Sequence, residues 1–286
     1  MILIIGGDSF IGLAATYALR DKGYDVISTT RNLSLVTRDR PYLDLNALNK
    51  SHIKAISCSV DYVLLAAGVT SITNCEKNKY ATSMINEDGL ATVARILGDA
   101  GATIILLSSS AVFGKSQIAP TPLDSPNPVV EYGKQKLALE TILLNSGCKT
   151  SILRLTKVIN PETSIFSMWI NILNSGGKVS AFSNVAVAPI TIEYCTGMIS
   201  YLIAPNRTGV FHLSPSTYYT YYEIASYIAR KLKQPETNVF PELCRNPLYE
   251  NTCFFLSGDI EKAGVEERPD ALFSIDDLIS RKNKLV

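Results

Sequence analysis

The chain opens MILIIGGDSFIG (residues 1–12). The four apolar residues 2–5 run into a glycine pair, and an amphipathic pattern then continues from residue 10 to residue 22. A short apolar run ended by glycine reads as a buried strand, and the pattern after it reads as a helix. Where a strand turns into a helix through glycine, backbone amides and the helix N-terminus face one point, which suits a pyrophosphate. Gly6 and Gly12 hold the outer positions of a G-x-x-G-x-x-G pattern, with Ser9 at the middle one. A glycine pattern alone has little specificity, and Gly6-Gly7 can be a plain tight turn. Its place at the first strand–helix junction makes Gly6, Asp8, Ser9, Phe10, Ile11 and Gly12 candidates for a dinucleotide phosphate loop. The Ser9 side chain either hinders the close approach of a phosphate or contacts it through its hydroxyl.

The same alternation continues through the first half. Residues 2–5, 25–28, 62–67, 103–108 and 150–155 are apolar on both faces and read as buried parallel strands. Amphipathic segments lie between them at 10–22, 46–58, 78–100 and 131–146, and Gly23, Gly101 and Gly147 follow three of these, where a helix end favours positive φ. Strands alternating with helices predict a doubly wound, Rossmann-type α/β sheet. The second half is less regular: a proline-rich loop at 119–128, helices near 164–174 and 191–204, a turn at 175–177, a strand at 209–214 and a helix at 221–234. The expected organisation is a dinucleotide-binding domain over 1–155, with 186–214 returning to it, and a small α+β substrate-binding lobe made mainly from 156–286.

Composition narrows the function classes. The 286 residues are 47% hydrophobic and 19% charged, with a formal net charge of +1. That balance gives no electrostatic argument for nucleic acid or an anionic membrane. The six cysteines are dispersed without a C-x-x-C and there are two histidines, so neither a metal site nor a disulfide framework is expected. The opening apolar run is too short for a leader or a membrane span, and the reading is a cytoplasmic protein.

Two further stretches carry chemistry. TIILLSSSAVFG (103–114) is a strand ending in three serines, and side chains at the carboxyl ends of parallel strands face the ligand crevice. A serine-rich turn would look the same. EYGKQK (131–136) places Tyr132 and Lys136 one helical turn apart on one face. The same spacing recurs in Tyr227 and Lys231, within an amphipathic pattern far from any strand end, and that copy reads as structural. At the end of the second strand, ISTTRN (27–32) has Thr30 where NAD sites usually carry an acid, with Arg31 next. An arginine there can pair with a 2′-phosphate or stack on adenine, although it can also be a solvated loop residue. With no acid in competition the reading favours NADP(H), with NAD(H) possible.

Together IGGDSFIG, DYVLLAAG (61–68), Asn86 in MINEDG, LSSSAVFG (107–114) and EYGKQK resemble the extended short-chain dehydrogenase/reductases that act on nucleotide-activated sugars. VAPITIEY (187–194) and GVFHLSP (209–215) are similar to the dTDP-4-dehydrorhamnose reductase branch. The resemblance implies a catalytic set of Ser109, Tyr132 and Lys136. It places Asp44 and Leu45 near adenine, Ala66, Ala67 and Gly68 near the cofactor ribose, and Lys136 on the nicotinamide ribose. In a ketone reduction Tyr132 would give the proton, and Ser109 would hydrogen-bond the carbonyl oxygen. A free phenol has a pKa of about 10, which a nearby ammonium and the charge of the oxidised nicotinamide are expected to lower. Candidate substrate contacts are Ser110, Lys157, Lys178 and Arg245, the last two being equally readable as solvated loop charges.

Among the chemistries such enzymes perform, absent residues discriminate. Ser110 and Ala111 stand where 4,6-dehydratases of the family carry an Asp–Glu pair, and Ala111 where GDP-fucose-type enzymes carry a cysteine. The expectation is therefore an NADP(H)-dependent 4-ketoreductase of a nucleotide-activated deoxysugar. One alternative is an NAD-dependent UDP-sugar 4-epimerase. Another is a non-catalytic NADP-binding subunit, like the regulatory subunit of methionine adenosyltransferase. Ser9, Tyr194 and Lys157 depart from the family's pattern. Helices 78–100 and 131–146 form a dimer surface in many relatives, which implies a homodimer.

Overall fold

Every residue of the first strand, β1 (Ile2–Ile5), is buried, and the rest of the sheet is built outward from it. The computed structural model describes residues 1–57, 59–115, 119–205, 207–257 and 268–284. They fall into two compact units, one made of residues 1–113, 125–154 and 196–211, the other of 114–124, 155–195 and the described part of 212–286. After β1 come α1 (Phe10–Asp21), β2 (Val26–Ser28), α2 (Lys50–Ser57), β3 (Tyr62–Leu65), α3 (Ile72–Lys77), α4 (Lys79–Ser83), α5 (Leu90–Asp99), β4 (Thr103–Ser109), α6 (Glu131–Leu144) and β5 (Thr150–Leu155). The chain continues through β6 (Lys157–Val158), α7 (Ile165–Asn174), β7 (Val179–Phe182), β8 (Ala186–Val187), β9 (Pro189–Ile190) and α8 (Ile192–Leu202). It ends with β10 (Gly209–Leu213), β11 (Tyr219–Thr220), α9 (Tyr221–Lys231), β12 (Val239–Glu242), β13 (Cys253–Phe254) and α10 (Ala271–Asn283).

The main sheet has six strands in the order β10-β5-β4-β3-β1-β2. β1 pairs in parallel with both β2 and β3, and β3 with β4. From β1 the chain moves to one side for β2 and to the other for β3, so the order reverses there. In an open α/β sheet the ligand crevice lies outside the carboxyl ends of the strands at such a reversal. This is the doubly wound α/β fold that the strand–helix alternation predicts. One face of the sheet presents Leu3, Ile5, Val63, Leu65, Ile104 and Leu106 to Leu90, Val93 and Leu97 of α5 and Leu139 and Leu143 of α6. Each such side chain contributes roughly 1.5–3 kcal/mol when fully buried. A one-residue slip would turn the whole set outward, so this face specifies the register.

Two helices differ from expectation. The one expected from residue 46 starts at Lys50, because Asn49 accepts the His52 amide through Oδ1 at 3.1 Å and caps it there. Residues 44–47 form a turn instead, with Asp44 Oδ1 on the Asn46 amide. The expected end of that helix, Cys58, lies outside the described residues. The single helix expected over 78–100 is divided into α4, a π-helical turn at Met84–Gly89, and α5. The wide turn places Asn86 in the interior, where its amide ties down the loop after β3. Wide turns of this kind are frequent at functional sites. Gly23, Gly101 and Gly147 take positive φ at the helix ends, as expected.

In the second unit α7, α9 and α10 pack around Phe166, Trp169, Ile224, Ile228 and Ile275. β7 pairs with β12, and β8 lies between β11 and β13, so this unit is α+β. The Tyr227 hydroxyl donates to Asp276 of α10 at 2.9 Å and Lys231 lies 3.0 Å from the same carboxylate. That Tyr–Lys pair fastens α9 to α10 and is structural. Tyr227 is half-buried and Lys231 exposed, so the pair sits nearer the surface than the sequence pattern suggests. Among the described residues no helix is long and apolar enough to cross a membrane.

In the first unit a buried ion pair joins α6 to β5. Arg154 lies 2.7 Å from Glu140, both almost fully buried, and Ser108 donates to the same carboxylate. Removing one partner of such a pair leaves an uncompensated buried charge. Arg154→Met is therefore expected to lower the unfolding free energy by about 3–5 kcal/mol in urea titrations, and a loss below ~1 kcal/mol would contradict this role.

Candidate active site

The phosphate loop rests on close backbone contact. Gly6 has φ of 92°, and a Cβ built on it would lie 2.6 Å from the Ala67 backbone, so only glycine lets the loop pack on the segment after β3. Ser9 has a role beyond the two considered from sequence. Its Oγ accepts the Gly12 amide at 3.0 Å, capping α1, and faces the carbonyls of Gly6 (2.8 Å) and Ala66 (3.1 Å). One hydroxyl thus ties the loop, the helix start and the end of β3 together. Beside it opens a cavity of about 290 Å³ lined by Gly6, Asp8 and Ser9, by residues 29–31 and 43–46, and by Ala67 to Val69. Asp44 and Leu45 belong to this lining; Phe10, Ile11, Gly12 and Ala66 lie outside it.

At the end of β2 the structure corrects a premise of the sequence reading. No acid follows the strand in sequence, but Asp8 reaches it from the phosphate loop. Its Oδ2 accepts the Thr30 hydroxyl at 2.7 Å and the Arg31 amide at 3.1 Å, and Oδ1 pairs with Arg40 Nη2 at 2.5 Å. Partial burial raises the Asp8 pKa, but the hydrogen bonds from Thr30, Arg40 and the Arg31 amide outweigh it and hold the carboxyl below the usual range. Arg40 carried no local signal. It arrives because residues 39–43 run beside the end of β2, with Ser28 donating to Asp39 and Thr30 to Pro41. Arg31 lines the cavity, exposed and with no side-chain partner among the described residues.

At the end of β4, Ser109 accepts the Ala111 amide through Oγ at 3.1 Å. It stands beside the Tyr132 phenol, close enough to favour the ionised form. α6 reaches this turn because Gly133 has no side chain: a Cβ there would lie 2.0 Å from the Ala111 carbonyl oxygen. Tyr132 and Lys136 are both buried, the ammonium 5.8 Å from the ring centroid. Lys136 Nζ donates to the Leu107 carbonyl at 2.9 Å and lies beside Gly68, which lines the cavity. Burial pushes the Lys136 pKa down to about 8, opposed by the buried Glu140 one turn on. Burial also drives the Tyr132 phenol above its ordinary value, only partly offset by Ser109. In the protein alone the lysine does not lower the phenol: the Lys136 ammonium is turned to a carbonyl, and desolvation of the phenolate dominates.

A second set of residues, mostly unforeseen, holds this one. Asn86 accepts the Val69 amide at 2.7 Å and donates to the Val69 carbonyl (3.0 Å) and to Gln135 Oε1 (2.8 Å). Gln135 in turn donates to Thr82 at 2.9 Å. Its place inside EYGKQK, one residue before Lys136, was the available signal. Ser110 is buried in the turn after Ser109. The other candidate substrate residues belong to the second unit. Lys157 stands on β6, its pKa lowered by burial. Lys178 lies over the Phe240 ring at 5.6 Å, and Arg245 is an exposed loop residue.

Comparison with known proteins agrees with this fold. The Haloferax volcanii protein named probable low-salt glycan biosynthesis reductase Agl14 is 24% identical over 220 residues, covering 74% of this chain and 73% of its own. Methionine adenosyltransferase 2 subunit beta of Danio rerio is 22% identical over 253 residues, covering 84% and 76%. The structure of dTDP-4-dehydrorhamnose reductase from Yersinia enterocolitica superposes with a TM-score of 0.84 at 25% identity, over 100% of this chain and 99% of that one. That of the Bacillus anthracis enzyme in complex with NADP gives 0.83 at 19% identity, over 98% of both. Residues 1–247 match the RmlD substrate binding domain, and the chain belongs to that family.

Proposed function

We propose that the protein is an NADP(H)-dependent 4-ketoreductase of a nucleotide-activated deoxysugar. The observation that carries this reading is the meeting of Ser109, Tyr132 and Lys136 at one strand end, with Lys136 beside the residue that lines the loop cavity. A glycine turn, a helix N-terminus and the wall of Leu43, Leu45 and Ile85 fit a dinucleotide there. Gly6 and Ser9 would meet the phosphates, Asp8, Thr30, Arg31, Asp44 and Leu45 the adenosine, and Gly68 and Lys136 the second ribose. The names of the reductases similar to this chain, and the NADP in the Bacillus anthracis complex, support the same choice.

A nicotinamide bound there supplies a hydride to the keto carbon. This chain's residues manage the oxygen. Burial keeps the Tyr132 phenol protonated, the form required of a proton donor in reduction. Ser109, which accepts the Ala111 amide, keeps its O–H free to donate to the oxygen as charge develops. Lys136 gives one N–H to Leu107 and keeps others for ribose hydroxyls, its charge favouring the phenolate left behind. The second unit would be the substrate-binding lobe, with Lys157 among its candidate contacts. A cytoplasmic homodimer remains part of the proposal; exposed Ile142 and Leu144 on α6 support the dimer. A second reading, a nucleotide-binding subunit that serves a partner, takes its support from the similarity to the Danio rerio protein.

Tyr132→Phe is expected to lower turnover of a nucleotide 4-keto sugar by about 10²–10⁴-fold while leaving dinucleotide affinity within about threefold. Retained reduction would contradict the role of the phenol. Arg31→Ala is expected to weaken NADPH by about tenfold more than NADH, as measured by fluorescence titration. Equal losses would remove the basis for NADP(H).

A further inference from the structure

The carboxylate of Asp8 meets three donors at the end of β2: the Thr30 hydroxyl, the Arg31 amide and the Arg40 guanidinium. Asp8 and Arg31 line the same cavity, so an acid and a base face whatever binds beside β2. Two of these bonds fall on Oδ2 and one on Oδ1, and an ionised carboxylate has room for about four. Capacity to accept another hydrogen bond therefore remains. Arg40 is held from one end of its fork: Nη2 reaches Asp8, while Nε is buried without a hydrogen-bond partner. Such a guanidinium has donors in reserve but is already committed to a charge.

We propose that Asp8 sets how far this chain discriminates NADP(H) from NAD(H): it accepts a hydrogen bond from an unphosphorylated ribose and keeps Arg40 away from a 2′-phosphate. This rests on the reading of the cavity as a dinucleotide site. Two opposed effects meet there. Arg31 attracts a 2′-phosphate, while the Asp8 charge repels it and, by pairing with Arg40, removes the second cation that could answer it. A ribose carrying a hydroxyl instead donates to Asp8 at no such cost. The chain therefore accepts both dinucleotides with a narrow margin, and the narrowing is the work of a residue in the phosphate loop, not of the second strand.

The test is fluorescence titration of the wild-type protein, Asp8→Asn and Arg40→Met with NADPH and with NADH. Asp8→Asn is expected to raise the ratio Kd(NADH)/Kd(NADPH) by about tenfold, through weaker NADH and tighter NADPH. Arg40→Met, which leaves Asp8 uncompensated, is expected to lower the same ratio by about threefold. Ratios within about twofold of wild type in both variants, with the wild type binding, would overturn the role of Asp8 and leave the site reading intact. Should Asp8→Asn fail to fold, the Arg40→Met ratio decides: a fall supports the proposal and no change overturns it. Wild-type protein that binds neither dinucleotide would overturn the site reading, and this inference with it.

Discussion

The site depends first on how closely the backbone at Gly6 lies against the backbone at Ala67. Any side chain at residue 6 would separate the loop from the segment after β3, and φ of 92° would strain it as well. That approach brings the start of α1, the loop and the end of β3 to one point, and Ser9 fastens all three with a single hydroxyl. The middle position of the glycine pattern can be serine because the side chain is turned into the loop. It also fixes where Asp8 projects: with residue 9 held inward, the preceding carboxylate reaches the end of β2.

A second close approach positions the chemistry. Gly133 lets α6 press on the turn after Ser109, and one face of the helix then carries Tyr132, Lys136 and Glu140 in successive turns. Burying three ionisable groups in a row is costly unless each has a partner. Glu140 has Arg154 and Ser108, Lys136 has the Leu107 carbonyl, and Tyr132 is a phenol that stays neutral with Ser109 beside it. The same burial sets their protonation. The phenol is held neutral, and the ammonium is brought to a pKa of about 8, close enough to neutrality to feel changes around it.

Much of this was legible in the sequence wherever the signal was local. The strand β1, the glycine turn, the serines closing β4 and the Tyr132–Lys136 spacing are each contained within about one turn or one strand, where periodicity and glycine placement decide the outcome. The structure brings these into one unit. The rest depended on contacts between distant segments. Arg40 reaches Asp8 across 32 residues, and Gln135 meets Asn86 across 49. No pattern in DRPYLDL shows that residues 39–43 will run beside β2. The break in the helix over 78–100 follows from Asn86 bonding to Val69, which hydrophobic periodicity does not record. The phenol's raised pKa was missed because spacing shows that a lysine is near, but not that its ammonium faces a carbonyl while the phenol is buried.

In the proposed reaction this site delivers a hydride and a proton to the carbonyl of a sugar nucleotide. The most direct measurement is mass spectrometry of the product formed from a nucleotide 4-keto-6-deoxysugar and NADPH deuterated at the transferring position of the nicotinamide. The account predicts a product carrying deuterium at C4 and stoichiometric oxidation of the dinucleotide. Product without deuterium, or epimerised sugar with the dinucleotide unchanged, would contradict it in favour of an internal redox cycle. No product, with the dinucleotide bound and unconsumed, would contradict it in favour of a binding subunit.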